Sequence, residues 1–215
     1  MANKSRPLQR VLYLFCEGDT EFHYFTGFKT SNRFSFTIKP VDVKGGGYAK
    51  MTAEVIRTGT DGSIARAILI DLDRYMSHPG EKAAFNRLLN IVQSHNVRGW
   101  PTVLIVSNPD FDDFVLLHDP KYHFQEKAKF LSSIGYNDVD DFKGDDKVYA
   151  KFNTNGTRKR ENALSRINPN YFVKNTFRLT KSTYAIKNIV EIIENNESVR
   201  TSNIADMFCL IEQLL

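Results

Sequence analysis

The apolar positions of this chain fall into short runs, and several of them stop at an acid. Val11-Leu-Tyr-Leu-Phe-Cys is unbroken up to Glu17-Gly18, Ala67-Ile-Leu-Ile up to Asp71, and Thr102-Val-Leu-Ile-Val-Ser107 up to Asn108-Pro109. Runs of this length, bounded by polar and turn residues, are the pattern of strands buried on both faces. They predict strands at 11–17, 64–71 and 102–107. Phe34 to Val43 instead alternates, with Phe34, Phe36 and Ile38 spaced by smaller or polar residues, which predicts a strand with one covered face. Gly45-Gly46-Gly47 then breaks it.

Helical spacing fills the intervals. Asp19 or Thr20 can cap a helix running to about Lys29, and a second helix is predicted from Tyr48 to Arg57. Ser77-His-Pro-Gly-Glu81 opens an amphipathic helix that carries Phe85, Leu88, Leu89 and Val92 on one face. Asp110 caps a short helix with Phe111, Phe114, Val115 and Leu117 leading to His118. Strands alternating with helices predict an α/β fold, a mostly parallel sheet flanked by helices with right-handed crossovers.

Past His118 the rhythm changes. Residues 138–146 are polar and turn-rich, and Asn153 to Arg160 reads as an exposed basic loop. Two further helices follow, one with Ile186, Ile189, Val190 and Ile193 on a face, the other with Ile204, Met207, Phe208 and Ile211. The expected organisation is an α/β core over residues 8–120 and a basic, mainly helical extension over 121–215 that packs on it.

A chain of 215 residues with 41% apolar and 12% aromatic content can bury the core that such a fold needs. No apolar run approaches the roughly 18 residues of a membrane helix, and the first seven residues lack the apolar centre of a signal peptide. A cytoplasmic location without a membrane partner is therefore expected. Cys16 and Cys209 are too few and too far apart for a disulfide framework or a zinc knuckle, and are expected to be reduced thiols.

Charge is unevenly placed. Between Lys143 and Lys187 eleven Lys and Arg residues face three acids, an excess of +8 that leaves −4 for the rest of a chain whose formal net charge is +4. A polyanion is attracted to such a basic half. Lys147, Lys151, Arg158, Lys159 and Arg160, interleaved with Tyr149 and Phe152, suit backbone contact and base stacking on RNA or DNA, although a solvated charged segment has the same composition.

The acids carry the candidate chemistry. In an open α/β sheet, ligands sit beyond the carboxyl ends of the strands. Glu17, Asp71 and Asp73 are expected to converge there, because alternate strand residues share a face and Glu17 ends a neighbouring run. Carboxylates so grouped repel one another unless a cation lies between them, which points to a hard ion, Mg²⁺ or Mn²⁺. Glu21 can face the same pocket, Asp112 and Asp113 can complete the cluster, and His118 can position a phosphate or a water. Each has a plainer reading: a helix-dipole partner for Glu17, Glu21, Asp112 and Asp113, an ion pair with Arg74 for Asp71 and Asp73, a packed or capping histidine for His118. The glycine run lacks the spacing of a phosphate-binding P-loop, and no Ser-His or Cys-His nucleophile is evident.

Taken in order, these motifs resemble the RloB-like family, whose Toprim-type core is related to that of OLD-family nucleases. The resemblance lies in Cys16-Glu-Gly-Asp-Thr-Glu-Phe-His-Tyr-Phe25, the glycines 45–47, Ile70-Asp-Leu-Asp-Arg74, Ser107-Asn-Pro-Asp-Phe-Asp112 through Leu116-Leu-His118, and Lys147-Val-Tyr-Ala-Lys151. It implies that Glu17 is the acid of the first strand, that Asp71 and Asp73 are the D-x-D pair that ligates Mg²⁺, and that the chain serves a bacterial or phage conflict system. Two departures stand out. Asp112 replaces the family's usual Glu and reaches less far, and Phe22 stands where a proline is typical.

Two functions follow as expectations. One is a metal-dependent nuclease in which Asp71 and Asp73 hold the ion, Glu17 ligates it or acts as general base, and Asp112 and His118 assist. The other is a non-catalytic Toprim-like module that binds nucleic acid or a partner. A second copy of the chain or a defence protein is the further expected partner.

Overall fold

A computed structural model describes residues 10–59, 62–124, 126–153, 157–167 and 179–215, with the backbone alone at 157–158 and 179–185. In chain order the first half runs β1 (Val11–Cys16), α1 (Asp19–Ser31), β2 (Thr37–Asp42), α2 (Gly47–Arg57), β3 (Ser63–Asp71), α3 (Asp73–Ser77), α4 (Pro79–Val97) and β4 (Thr102–Asn108). Then come α5 (Asp112–Leu116), α6 (Lys127–Ser133), α7 (Val139–Lys143), α8 (Val148–Asn153), α9 (Thr157–Ile167), α10 (Leu179–Asn195), β5 (Thr201–Ser202) and α11 (Ala205–Leu214).

The fold is α/β, with one five-stranded sheet in the order β2-β1-β3-β4-β5. β1 pairs in parallel with β2 and β3, β3 in parallel with β4, and the two-residue β5 runs antiparallel to β4. The alternation of side chains divides the core into two layers. Leu12, Leu14, Cys16, Ala67, Leu69, Val103 and Ile105 meet α1, α5 and α11, while Phe15, Ile68, Ile70, Leu104 and Val106 meet α2, α4 and α10. Both thiols are free; Cys16 lies in the first of these layers, where burial first of all pushes it well up, and Cys209 is half-buried on α11.

Four differences from the sequence reading stand out. The second strand is shorter than 34–43, because Phe34 packs against the rings of Phe36 and Phe28 before pairing begins at Thr37. β2 pairs only with β1, so Pro40 sits on an edge strand, where a missing N–H costs little. β3 ends at Asp71 and Asp73 opens α3, so the two acids are not alternate residues of one strand. Residues 157–167, part of which read as a basic loop, form α9 instead, and its Ala163, Leu164 and Ile167 are buried in the core. Beyond residue 120 the chain also contributes β5 to the sheet and one helix to each of its faces, α10 and α11.

The strand order places the site. The chain leaves β1 for β2 on one side, then returns past β1 to β3 on the other. Such a reversal opens a crevice between the carboxyl ends of the two central strands. Those ends carry Cys16-Glu17 and Asp71.

Candidate metal centre

Glu17 follows the last residue of β1, and its Oε2 accepts the backbone N–H of Asp71 at 3.0 Å, so one carboxylate spans the crevice. Asp71 in turn accepts the backbone N–H of Phe111 on Oδ1 at 2.8 Å, tying the end of β3 to the turn after β4. Glu21 reaches the same place from the first turn of α1. It is 3% exposed, and its Oε1 is buried with no hydrogen-bond partner among the described residues.

The electrostatics agree with the geometry. Burial raises the Glu17 carboxyl to about 7, with Asp73 and Glu81 adding to the rise and the Asp71 N–H and Arg74 opposing it. Glu21 is raised to about 8, by burial first and then by Asp112, Glu17 and Asp110. Asp71 is pushed well above the carboxylate range by burial, and then by Glu21, Asp110, Glu17 and Asp112. Glu17, Glu21, Asp71, Asp110 and Asp112 therefore share one field, and each disfavours the ionised form of its neighbours.

Asp112 is buried in the first turn of α5, 3.4 Å from the ammonium of Lys127 and 3.9 Å from that of Lys143. Burial and Asp110 raise its carboxyl, while the two lysines and a hydrogen bond from Thr20 hold it down. Lys127 sits closest to Asp110, 2.6 Å from each of its oxygens. Asp113 turns the other way, accepting the Tyr122 hydroxyl at 2.5 Å and pairing with Arg200 at 3.2 Å. Its Oδ1 also lies 3.8 Å from the Lys127 ammonium, so Asp113 joins the Lys127 cluster while remaining outside the charges that act on Glu17.

Asp73 is exposed at the start of α3, where its Oδ1 accepts the N–H of Arg74 at 2.5 Å. It acts on Glu17 from the outside, raising its carboxyl. The Arg74 guanidinium pairs with Glu81 at 3.5 Å, so among the described residues it neutralises neither Asp71 nor Asp73 by direct contact. Glu81 also accepts the backbone N–H of Tyr48 at 3.2 Å. The start of α2, which the glycine run offers to an anion, is thus occupied by the protein's own carboxylate. Gly47, at φ +75°, permits this approach, since a methyl there would meet Glu81 and Arg74.

His118 is 1% exposed and packs between Tyr24 and Phe114. Its Nδ1 lies 3.0 Å from the carbonyls of both Phe114 and Val115, which can only accept, so Nδ1 carries the proton and Nε2 accepts from the Tyr24 hydroxyl at 3.1 Å. Burial lowers its pKa to about 4, and the charges that also act on it are Arg160 and Lys159 rather than the acids. It is a neutral, fully engaged imidazole.

The predicted nucleic-acid residues divide. Lys147, Lys151 and Lys159 line one cleft of about 550 Å³, with His118, Tyr136 and Phe152. Arg160 instead lies over the rings of Phe208 and Phe28, 4.7 and 5.9 Å from their centroids, with its Nε buried. The side chain of Arg158 lies outside the described residues.

Asp110 and Lys127 are the site residues that sequence reasoning missed. Asp110 reads as a helix cap, and nothing in the sequence links Lys127 to it across seventeen positions. Among the described residues no three His, Cys, Asp or Glu side chains form a ready-made cation cage. In kind, the donors still fit a hard ion. Glu17 and Asp71 each anchor one oxygen on a backbone N–H, and neither has a protein hydrogen bond at the other oxygen among the described residues, while Glu21 has its orphaned Oε1. No family model, curated protein or solved structure matches this chain.

Proposed function

We propose that the chain is a divalent-metal-dependent phosphodiesterase acting on RNA or DNA, in a bacterial or phage defence setting of the kind its RloB-like motifs imply. The observation that carries this reading is Glu21 Oε1, a buried carboxylate oxygen without a hydrogen-bond partner among the described residues, in the shared field of Glu17, Asp71 and Asp112. Buried acids in that condition hold a proton, and a cation bound among them would take its place.

Glu17, Asp71 and Glu21 would hold Mg²⁺ or Mn²⁺, with Asp73 at the outer rim. Such an ion, when bound, polarises a phosphoryl oxygen and makes a neighbouring water acidic. The protein's own part is to fix the donors. The Asp71 and Phe111 N–H groups orient Glu17 and Asp71, and Glu17 and Glu21 are themselves buried. Lys127 holds Asp110 and Asp112 in place, while the cleft lysines draw the polyanion in.

A second reading has its own observation. Lys127 already supplies a positive charge to Asp110 and Asp112, which suits a Toprim-like module that binds nucleic acid without cutting it. Labelled RNA, single-stranded DNA and duplex DNA incubated with Mg²⁺ or Mn²⁺ separate the two. Cutting by the wild type that disappears in Asp71→Asn supports the enzyme. Salt-sensitive binding with no cutting of any substrate supports the module.

A further inference from the structure

The cleft bounded by α6, α8 and α9 has chemistry of its own. None of Glu17, Glu21, Asp71, Asp73 or Asp112 lines it, so it is not the acidic crevice seen from another side. Its volume of about 550 Å³ falls within the span of small-molecule sites.

Two of its cations are uncommitted. Lys147 stands just before α8 and Lys159 lies on α9, and among the described residues neither has an ion-pair partner. Ammonium groups from separate elements facing one concavity repel each other, and an anion between them relieves that repulsion. Lys151 differs. It pairs with Asp145 at 2.8 Å and lies 4.5 Å from the Tyr136 ring centroid, so it stiffens the wall. Asp119, an acid on the lining, accepts the N–H of Lys121 at 2.8 Å.

The rest of the lining is apolar. Ile134, Ala150 and Phe152 form a wall with Tyr136, and Ile134 is among the few large apolar side chains that the protein exposes. His118 closes the cleft with both ring nitrogens already engaged, so it offers a ligand no free donor. A dibasic mouth beside an apolar wall suits a ligand with a phosphate at one end and a flat, weakly polar body at the other.

We infer that this cleft is a binding site for a nucleoside phosphate, with the phosphate between Lys147 and Lys159 and the base against Ile134, Tyr136 and Phe152. The choice of a nucleotide among flat phosphorylated ligands rests on the nucleic-acid reading above. Binding here requires neither metal nor cleavage. The nucleotide is either free or one unit of a single strand.

Titration calorimetry on the full chain tests this, with adenosine 5′-monophosphate, adenosine and inorganic phosphate as probes. The expected result is saturable binding of the monophosphate, with adenosine and phosphate each weaker by about tenfold or more. Lys147→Gln and Lys159→Gln should each weaken the monophosphate by about tenfold, whereas Glu21→Gln should leave it unchanged. Lys147 is exposed, so its variant keeps the test open if Lys159→Gln unfolds. An oligo(dA) that displaces the monophosphate identifies the strand as the source, and one that does not identifies the free nucleotide. The inference is overturned if the monophosphate does not bind, if it binds equally to both lysine variants, or if phosphate alone binds as tightly. Loss of cleavage in Asp71→Asn with monophosphate binding intact would show that the two sites stand or fall separately.

Discussion

Glu17 and Asp71, fifty-four positions apart in the chain, are joined by a single 3.0 Å hydrogen bond from the Asp71 N–H to the Glu17 carboxylate. The bond crosses the gap where the sheet reverses direction, so the acid of β1 is aimed by the backbone of β3 and not by its own strand alone. Glu17→Gln keeps an oxygen to accept this bond while removing the charge. Cleavage of a labelled strand should fall by about 100-fold or more with binding retained. Cutting at the wild-type rate would remove Glu17 from the chemistry.

Glu21 makes a prediction about pH. Its carboxyl is raised to about 8 in the folded protein from an ordinary 4.5, so the folded state holds more protons than the unfolded state between those values. The stability tied to this proton is complete below about 4.5 and lost as pH rises through about 8. In metal-free buffer, Glu21→Gln should therefore melt several degrees above wild type at pH 8 and close to it at pH 5, and added Mg²⁺ should narrow the gap at pH 8. Equal melting temperatures at both pH values would count against the buried, uncompensated carboxylate.

Lys127 is the counter-charge of three acids, at 2.6 Å from Asp110, 3.4 Å from Asp112 and 3.8 Å from Asp113. Removing one partner of a buried pair leaves the other without compensation. Lys127→Ala should lower unfolding stability by about 3 kcal/mol in a urea melt, with an unchanged m-value. Adding Asp110→Asn should recover part of the loss, and additive effects of the two substitutions would show that they do not interact.

Gly47 is needed for two separate reasons. It has φ +75°, and a methyl at this position would be driven into the Glu81 carboxylate, which caps Tyr48 and pairs with Arg74. Gly47→Ala should cost about 1–3 kcal/mol by denaturant melt. Gly45, with a similar φ but open space at the same point, should cost less, so an equal loss at both would mean that backbone strain alone is responsible.

The parallel core is legible in the sequence because β1, β3 and β4 are buried on both faces and so read as unbroken apolar runs, and the acids ending two of them mark the crevice. Asp73 misleads for a local reason. The chain turns into α3 at Leu72, and the period of two stops one residue before it would have brought Asp73 beside Asp71. Residues 157–160 mislead because their charges mask helical spacing that only becomes plain at Ala163, Leu164 and Ile167, while 154–156 lie outside the described residues. β5 has two residues, too few for any periodicity, and is held by pairing with Ser107 and Asn108. Lys127 leaves no trace in the sequence because its role depends on α6 folding back over the turn after β4.

The two margins of the sheet are unequal but alike in effect. On one side β2 carries Lys39 and Pro40, and on the other β5 has only two residues. Neither offers the long, flat row of unpaired backbone groups on which a neighbouring molecule could add a strand. Growth of the sheet into fibrils or strand-swapped pairs is disfavoured at both rims.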